Sequence, residues 1–145
     1  MKKVIAAVAV AAALVLAAVA FADTYTINTK LTPGADVPKP KGAPNARGTF
    51  TGRYVEHQDK ATLTWKLTYS GLTGAALQAH IHSGKPGVAG NVIVPLCGPC
   101  HSGMTGHARI GEAVIKALES GGAYVNVHTK KNPAGEIRGQ IRVAG

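Results

Sequence analysis

Among the residues of this chain, three histidines have the spacing that best fits a metal site. His80 and His82 lie two residues apart, so on a strand their side chains project from one face, about 6.6 Å apart. His128 shares a face with Tyr124 and Asn126 in a later strand pattern. If the two strands are neighbours, three imidazoles converge on one point, and such nitrogen donors suit copper or zinc. The alternative is that these histidines make hydrogen bonds that tie strands to loops.

Glu136 and Arg138 also lie two residues apart on one predicted strand face. There they can pair with each other and with a cross-strand polar group. Exposed ion pairs are common and weak, so a structural role is favoured for both. The functional alternative is a carboxylate that supports a metal-bound histidine. Asn126, Glu136 and Arg138 are therefore predicted to be supporting or structural polar residues.

The segment Cys97-Gly98-Pro99-Cys100-His101 admits four interpretations. It matches the haem-attachment pattern literally, but a haem needs an apolar pocket in what is usually a helical domain. A thioredoxin-type site needs the second cysteine on a helix, whereas Ser102-Gly103 follows here. Metal binding by two thiolates is disfavoured in an oxidising compartment, so a local disulfide between Cys97 and Cys100 is the leading prediction.

The elements that must position these residues have the patterns of short strands separated by turns. From Lys60 to Tyr69, apolar residues around Trp65 alternate with threonine and lysine, which predicts a strand with one buried face. The same reasoning predicts strands over 24–31, 47–55, 77–82, 92–96, 124–128 and 136–143. Residues 112–120, followed by Gly121-Gly122, favour a short helix over a strand at 114–118. We therefore expect a mainly β fold, an antiparallel β-sandwich of immunoglobulin-like or superoxide-dismutase-like Greek-key type, with one short helix.

The N-terminal residues predict a secretory signal peptide at 1–22. Lys2 and Lys3 precede an uncharged apolar run from Val4 to Val19, and Ala20-Phe21-Ala22 supplies small residues at a cleavage site. An uncleaved anchor is the alternative, but the run is short and rich in alanine. Cleavage would leave a secreted or periplasmic domain of about 123 residues, 23–145, with no later transmembrane segment.

Composition limits the partners of this domain. The formal charge of +9 falls to about +7 once Lys2 and Lys3 are removed. The basic residues are scattered and no aromatic ladder accompanies them, which argues against nucleic acid binding. Weak association with anionic lipid headgroups or polysaccharide is compatible with this charge. The aromatic and aliphatic strand residues suffice for a core, so we expect a monomer that folds without metal or haem.

Three ordered motifs give the chain a family resemblance. They are Ala79-His80-Ile81-His82 before a glycine-rich loop, Tyr124-Val125-Asn126-Val127-His128-Thr129, and Pro133-Ala134-Gly135-Glu136-Ile137-Arg138-Gly139-Gln140. In these the sequence resembles the CHRD domain family, named for chordin, in its single-domain secreted bacterial form. The resemblance covers Tyr25 to Val143 and brings no catalysed reaction with it.

The expected function is therefore a non-enzymatic binding module with a candidate copper or zinc site at His80, His82 and His128. The alternative is a structural or protein-interaction domain without metal. Only 7 acidic residues are present, and no hydrolase triad or paired carboxylates stand out. His-x-His is also similar to the copper site of copper-zinc superoxide dismutase, but the further ligands of that enzyme lack counterparts between His82 and His107.

Overall fold

The computed structural model describes residues 22–145, and these residues form two antiparallel β-sheets. The elements are β1 (Thr24–Leu31), β2 (Arg47–His57), β3 (Lys60–Ser70), β4 (Ala76–Ser83), β5 (Val92–Cys97), β6 (Met104–Gly111), α1 (Glu112–Glu119), β7 (Ala123–Thr129), β8 (Ile137–Gln140) and β9 (Val143–Ala144). One sheet has the order β6-β3-β2-β1-β9, and the other has the order β5-β4-β7-β8. The predicted antiparallel β-sandwich with one short helix is confirmed.

Side chains from the inner faces of both sheets form the core. In β3 the apolar residues alternate with exposed threonine and lysine, as its sequence pattern predicts, and Trp65 is only 6% exposed. The other sheet contributes alternate residues of β4 and β7. Fully buried residues from both sheets include Phe50, Leu63, Leu67, Ile81, Val125, Val127 and Ile137. This packing leaves the opposite face of β4 and β7 available for polar residues.

Strand β6 was not predicted from the sequence. Its inward positions include Gly106 and Ala108, so its apolar alternation is weak. Gly106 pairs with Trp65 of β3, and a Cβ at residue 106 would lie 2.4 Å from the indole. The Trp65 ring thus packs against the backbone of Gly106 and fills the space that a side chain at residue 106 would otherwise occupy.

The predicted strand at 136–143 is wrong in its extent. The chain forms β8 at Ile137–Gln140 in one sheet and β9 at Val143–Ala144 in the other. Buried Ile141 lies between the two strands. Glu136 therefore precedes β8 and does not share a regular strand face with Arg138.

The predicted helix is confirmed as α1. Ile115 and Leu118 are its buried residues, and Glu112 contacts Lys116 one turn later on its exposed side. The helix ends before Gly121, which has a positive φ of 67°. Within residues 22–145, no helix combines the length and the apolar character needed to cross a membrane. The predicted signal peptide lies outside the described residues except for Ala22.

Candidate metal site

The outer face of β4 presents two of the predicted ligands. His80 and His82 project from this face, while Ala79 and Ile81 are fully buried in the core on the other side. The pairing of β4 with β5 shifts register between Ala79 and His80 and again between Ile81 and His82. These irregularities flank both histidines, as bulges near functional sites commonly do.

Strand β7 brings the third histidine beside the first two. It pairs antiparallel with β4, so that Asn126 lies opposite His80 and His128 lies opposite Gln78. One ring nitrogen from each of His80, His82 and His128 lies within 4.8 Å of the others. The neighbouring strands required by the sequence argument are therefore present.

The closest approaches within this cluster involve His128. Its Nε2 lies 3.3 Å from Nδ1 of His80 and 3.4 Å from Nε2 of His82. The side chains of His82 and His128 are 8% and 9% exposed, whereas His80 is half-buried. The cluster is thus mostly shielded from solvent, and His80 is its most accessible member.

Backbone carbonyls fix the orientation of two of these rings. Nδ1 of His82 lies 3.0 Å from the Gly90 carbonyl oxygen, and Nδ1 of His128 lies 3.0 Å from that of Pro133. A carbonyl oxygen only accepts hydrogen bonds, so each Nδ1 carries the proton and donates it. In the neutral form of both rings, the two Nε2 atoms therefore face each other with lone pairs.

Burial favours the neutral form of all three histidines. It lowers the pKa of His80 and of His82 below 6.5, and it lowers the pKa of His128 to about 4. Mutual repulsion between the imidazolium forms adds to the effect for His80 and His128. Near neutral pH the nitrogens are thus free of the protons that compete with a metal ion.

A layer of polar side chains supports the cluster. Arg138, only 1% exposed, places its guanidinium carbon 3.4 Å from the ring centroid of Tyr124. It also donates hydrogen bonds to the carbonyl oxygens of Val88 and Lys85, at 2.9 and 3.0 Å. Arg138 therefore holds the glycine-rich loop over the sheet.

The ion pair that the sequence allowed between Glu136 and Arg138 does not form within residues 22–145. Glu136 is fully buried, and its carboxylate accepts hydrogen bonds from Thr73, Thr129 and Asn132. Burial raises its pKa, but these hydrogen bonds outweigh burial and hold the pKa below 4.5. Because residue 136 precedes β8, which begins at Ile137, this carboxylate ties loops to the end of β7 and, in the part of the chain that the structure describes, forms no ion pair with Arg138.

Asn126 makes a buried hydrogen bond to Asp36, a residue that the sequence analysis did not identify. Its Nδ2 donates to Oδ1 of Asp36 at 3.1 Å, and Asp36 is 1% exposed. Within residues 22–145, Oδ2 of Asp36 and Oδ1 of Asn126 have no hydrogen-bond partner. Burial raises the pKa of Asp36 although Val37, Asn126 and Arg138 act to lower it. Asp36 lies in an irregular, proline-rich segment, so no periodicity indicated its burial.

The remaining candidates, Cys97 and Cys100, lie at the end of β5. Their sulfur atoms are at disulfide distance and their Cα atoms are 5.3 Å apart, as the predicted local disulfide requires. The peptide N–H of Cys100 donates to the carbonyl oxygen of Ala76, at the start of β4. The pair therefore fixes a loop against β4, whose far half carries His80 and His82.

Comparisons with known proteins give one positive finding. A protein-family model described as the CHRD domain matches residues 27–141, which run from within β1 to just after β8 and include every candidate ligand. No curated protein and no solved structure matches the chain significantly.

Proposed function

Since the chain belongs to the CHRD domain family, and since its outer β4–β7 face carries a three-histidine cluster, we propose that it is a metal-binding module. His80, His82 and His128 would each supply one nitrogen to a copper or zinc ion. We propose further that the protein is non-enzymatic and is secreted or periplasmic.

The separations within the cluster carry the metal proposal. Two nitrogens bound to one tetrahedral ion at about 2.05 Å lie about 3.3 Å apart. The two separations from Nε2 of His128 are 3.3 and 3.4 Å. Two of the three separations thus already match those of a ligand set, whereas the nitrogens of His80 and His82 are held only within 4.8 Å of each other and would approach on binding.

The hydrogen bonds around the cluster support the same proposal. Metal-bound histidines usually donate their other ring N–H to a carboxylate, a backbone carbonyl or water, which fixes the tautomer that presents a lone pair. The carbonyl oxygens of Gly90 and Pro133 do this for His82 and His128. Both copper and zinc accept neutral imidazole, so the donor set does not select between them.

A structural role without metal is the second candidate. The hydrogen bonds from His82 to Gly90 and from His128 to Pro133 connect two loops to the sheet. This is the strand-to-loop function that the sequence left open. His80 separates the two candidates, because its Nδ1 contacts the ring of His128 rather than a loop.

Titration of Zn²⁺ and Cu²⁺ into the purified, metal-stripped protein tests the proposal. We expect one ion per chain, and we expect His80→Gln to weaken binding about 100-fold while the metal-free variant unfolds near the wild-type temperature. The matched control is His101→Gln, which changes an exposed histidine and should leave affinity unchanged. Equal affinity in wild type, His80→Gln and His128→Gln would instead support the structural role.

The location is tested separately. The proposal rests on the signal-like pattern of residues 1–22 and on a cysteine pair at disulfide distance, which suits an oxidising compartment. Mass spectrometry of protein recovered from periplasm and medium should find an N-terminus at Asp23. Recovery of intact chain from the cytoplasm alone would contradict export.

A further inference from the structure

The outer face of the five-stranded sheet has a regular distribution of charge. Its outward residues form six successive rows across the strands, set by the pairing of β1, β2, β3 and β6. In order, the rows are His57–Lys60–Gly111, Thr24–Val55–Thr62–Arg109, Thr26–Arg53–Thr64–His107, Asn28–Thr51–Lys66–Thr105, Lys30–Thr49–Thr68 and Arg47–Ser70.

Each row contains one lysine or arginine, and no row contains an acidic residue. We call these rows the basic face; its cations, in row order, are Lys60, Arg109, Arg53, Lys66, Lys30 and Arg47. All six are exposed. Four acidic residues adjoin row residues in sequence but belong to no row: Asp23, Glu56, Asp59 and Glu112. Glu56, the one inside a strand, pairs with buried Ala61 in the inward register. Residues that share a face repeat about every 6.7 Å along a strand, so a cation recurs at this interval.

Shallow, open depressions lie along the basic face. Two adjoining depressions of about 720 and 580 Å³ share Arg53 and Thr64, and a third of about 550 Å³ is lined by Lys30, Arg47 and Thr68 among others. Together they follow the rows along the strands. A linear molecule lying along these depressions would meet every cation in turn.

The chemistry of the basic face selects one class of occupant. Its most frequent residue is threonine, whose hydroxyl can donate and accept hydrogen bonds, as sugar hydroxyls do. The exposed large hydrophobic residues, Val37, Leu77, Val88 and Val92, all lie elsewhere. The aliphatic residue of the face, Val55, is half-buried, so the face offers little apolar surface for insertion into a bilayer. The face also has no tyrosine, phenylalanine or tryptophan on which bases could stack.

We propose that the basic face binds a linear anionic polysaccharide that runs along the strands. The lysines and arginines pair with its carboxylate or sulfate groups, and the threonines hydrogen bond to its sugar hydroxyls. The face belongs to the sheet opposite the histidine cluster. This inference is therefore independent of the proposed metal site, and either can fail without the other.

Binding of defined polymers tests the inference. Polygalacturonate carries carboxylates, dextran sulfate carries sulfates, and dextran carries neither, so the three separate the anionic groups from the sugar backbone. We expect one or both anionic polymers to bind the full chain in 50 mM salt, with affinity falling as salt rises, and dextran to fail. The double variant Arg53→Gln, Lys66→Gln should lose about tenfold in affinity.

A charge-matched control removes the effect of net charge. Lys130→Gln, Lys131→Gln changes two exposed lysines that follow β7 and lie outside the basic face. It should retain wild-type affinity, and both double variants should keep the wild-type melting temperature because the changed residues are exposed. Equal losses in the two variants would overturn the inference. So would failure of both anionic polymers to bind, or equally tight binding of phosphatidylglycerol vesicles or duplex DNA at matched charge concentration.

Discussion

The imidazole of His82 stacks on the phenol ring of Tyr124, with centroids 5.1 Å apart and 8° between the ring planes. Both side chains also hold Gly90, whose carbonyl oxygen accepts from Nδ1 of His82 and whose N–H donates to the Tyr124 hydroxyl, each at 3.0 Å. His82 cannot rotate away without breaking the stack and releasing the loop. Its Nε2 is therefore held toward the cluster, and this preorganisation would lower the free-energy cost of the proposed metal binding.

Gly90→Ala should weaken both the fold and metal binding. A Cβ at residue 90 would lie 1.7 Å from the carbonyl oxygen of Ser83, so the loop must shift and its contact with His82 is lost. We expect a loss of about 1 to 3 kcal/mol in unfolding free energy and weaker metal affinity. Denaturant unfolding and metal titration measure the two effects. Gly87→Ala is not a matched control because of its positive φ, so Gly74→Ala, which has nothing within 4 Å of the added Cβ, serves instead.

Metal-free protein should lose stability as the pH falls from about 6.5 to about 4. The folded state lowers the pKa of His128 from 6.5 to about 4, so in this window the unfolded chain binds the proton more readily than the folded chain. This contribution of His128 to the free energy of unfolding is fully present above pH 6.5 and is lost below about pH 4. Melting temperatures in chelator across this range should fall less steeply for His128→Gln than for wild type, whereas exposed His101→Gln should follow wild type. Parallel curves for all three proteins would contradict the assignment.

Asp36→Asn should have the opposite pH signature. Burial raises the pKa of Asp36 above 3.8, so the folded state prefers the protonated acid and pays to ionise it as the pH rises. This free-energy cost is absent below pH 3.8 and reaches its full size above the raised pKa of the folded state. The variant carries no such charge, and its amide can donate to the unpartnered Oδ1 of Asn126. Its melting temperature relative to wild type should therefore increase from pH 4 to 7. A constant difference, as we expect for the exposed Asp59→Asn control, would refute this explanation.

Replacing Cys97 and Cys100 by serine should cost less than about 3 kcal/mol in unfolding free energy. The crosslink closes a very short loop, with a sequence separation of 3, so it restricts the unfolded chain little. Exported wild-type protein should show no free thiol before reduction and no Soret absorption. Metal affinity should be unchanged in the double variant. A haem stain, or loss of metal binding, would show that His101 and the cysteines have a different role.

Chelation should leave the fold intact. The core between the sheets contains Trp65, Phe50 and Leu67 and does not depend on the histidines, which lie on the outer face of β4 and β7. We expect the melting temperature to shift by a few degrees, as mass action predicts for a ligand bound by the folded state alone. Scanning calorimetry with and without EDTA measures this shift. Complete unfolding on chelation would give the metal a structural role.

The sequence was most informative where one rule controlled the local structure. Alternation in β3 and the two-residue spacing of His80 and His82 depend only on strand geometry, and both predictions agree with the structure. Gly106 weakens the apolar alternation that would have predicted β6. The apolar surface at this position comes instead from Trp65 on the neighbouring strand. Local patterns contain no information about such cross-strand compensation.

The environment of the site was harder to predict for a related reason. The contacts of His82 with Gly90, of His128 with Pro133 and of Asn126 with Asp36 come from loops without periodicity. Asp36 and Asn126 are 90 residues apart in the chain. Their contact depends on how the proline-rich segment crosses the sheet, which strand spacing does not determine.

The division of the last segment between the two sheets has a consequence during synthesis. Strand β8 pairs with β7 and its Arg138 bridges to Thr32, while β9 pairs with β1 in the other sheet. While residues 137–144 are still inside the ribosome, a nascent chain lacks the strands that complete both sheets at one edge. The edges of β1 and β7 then stay open to other extended chains. The protein can therefore reach its native state only after translation has passed these residues, and a chaperone that covers those edges would protect it until then.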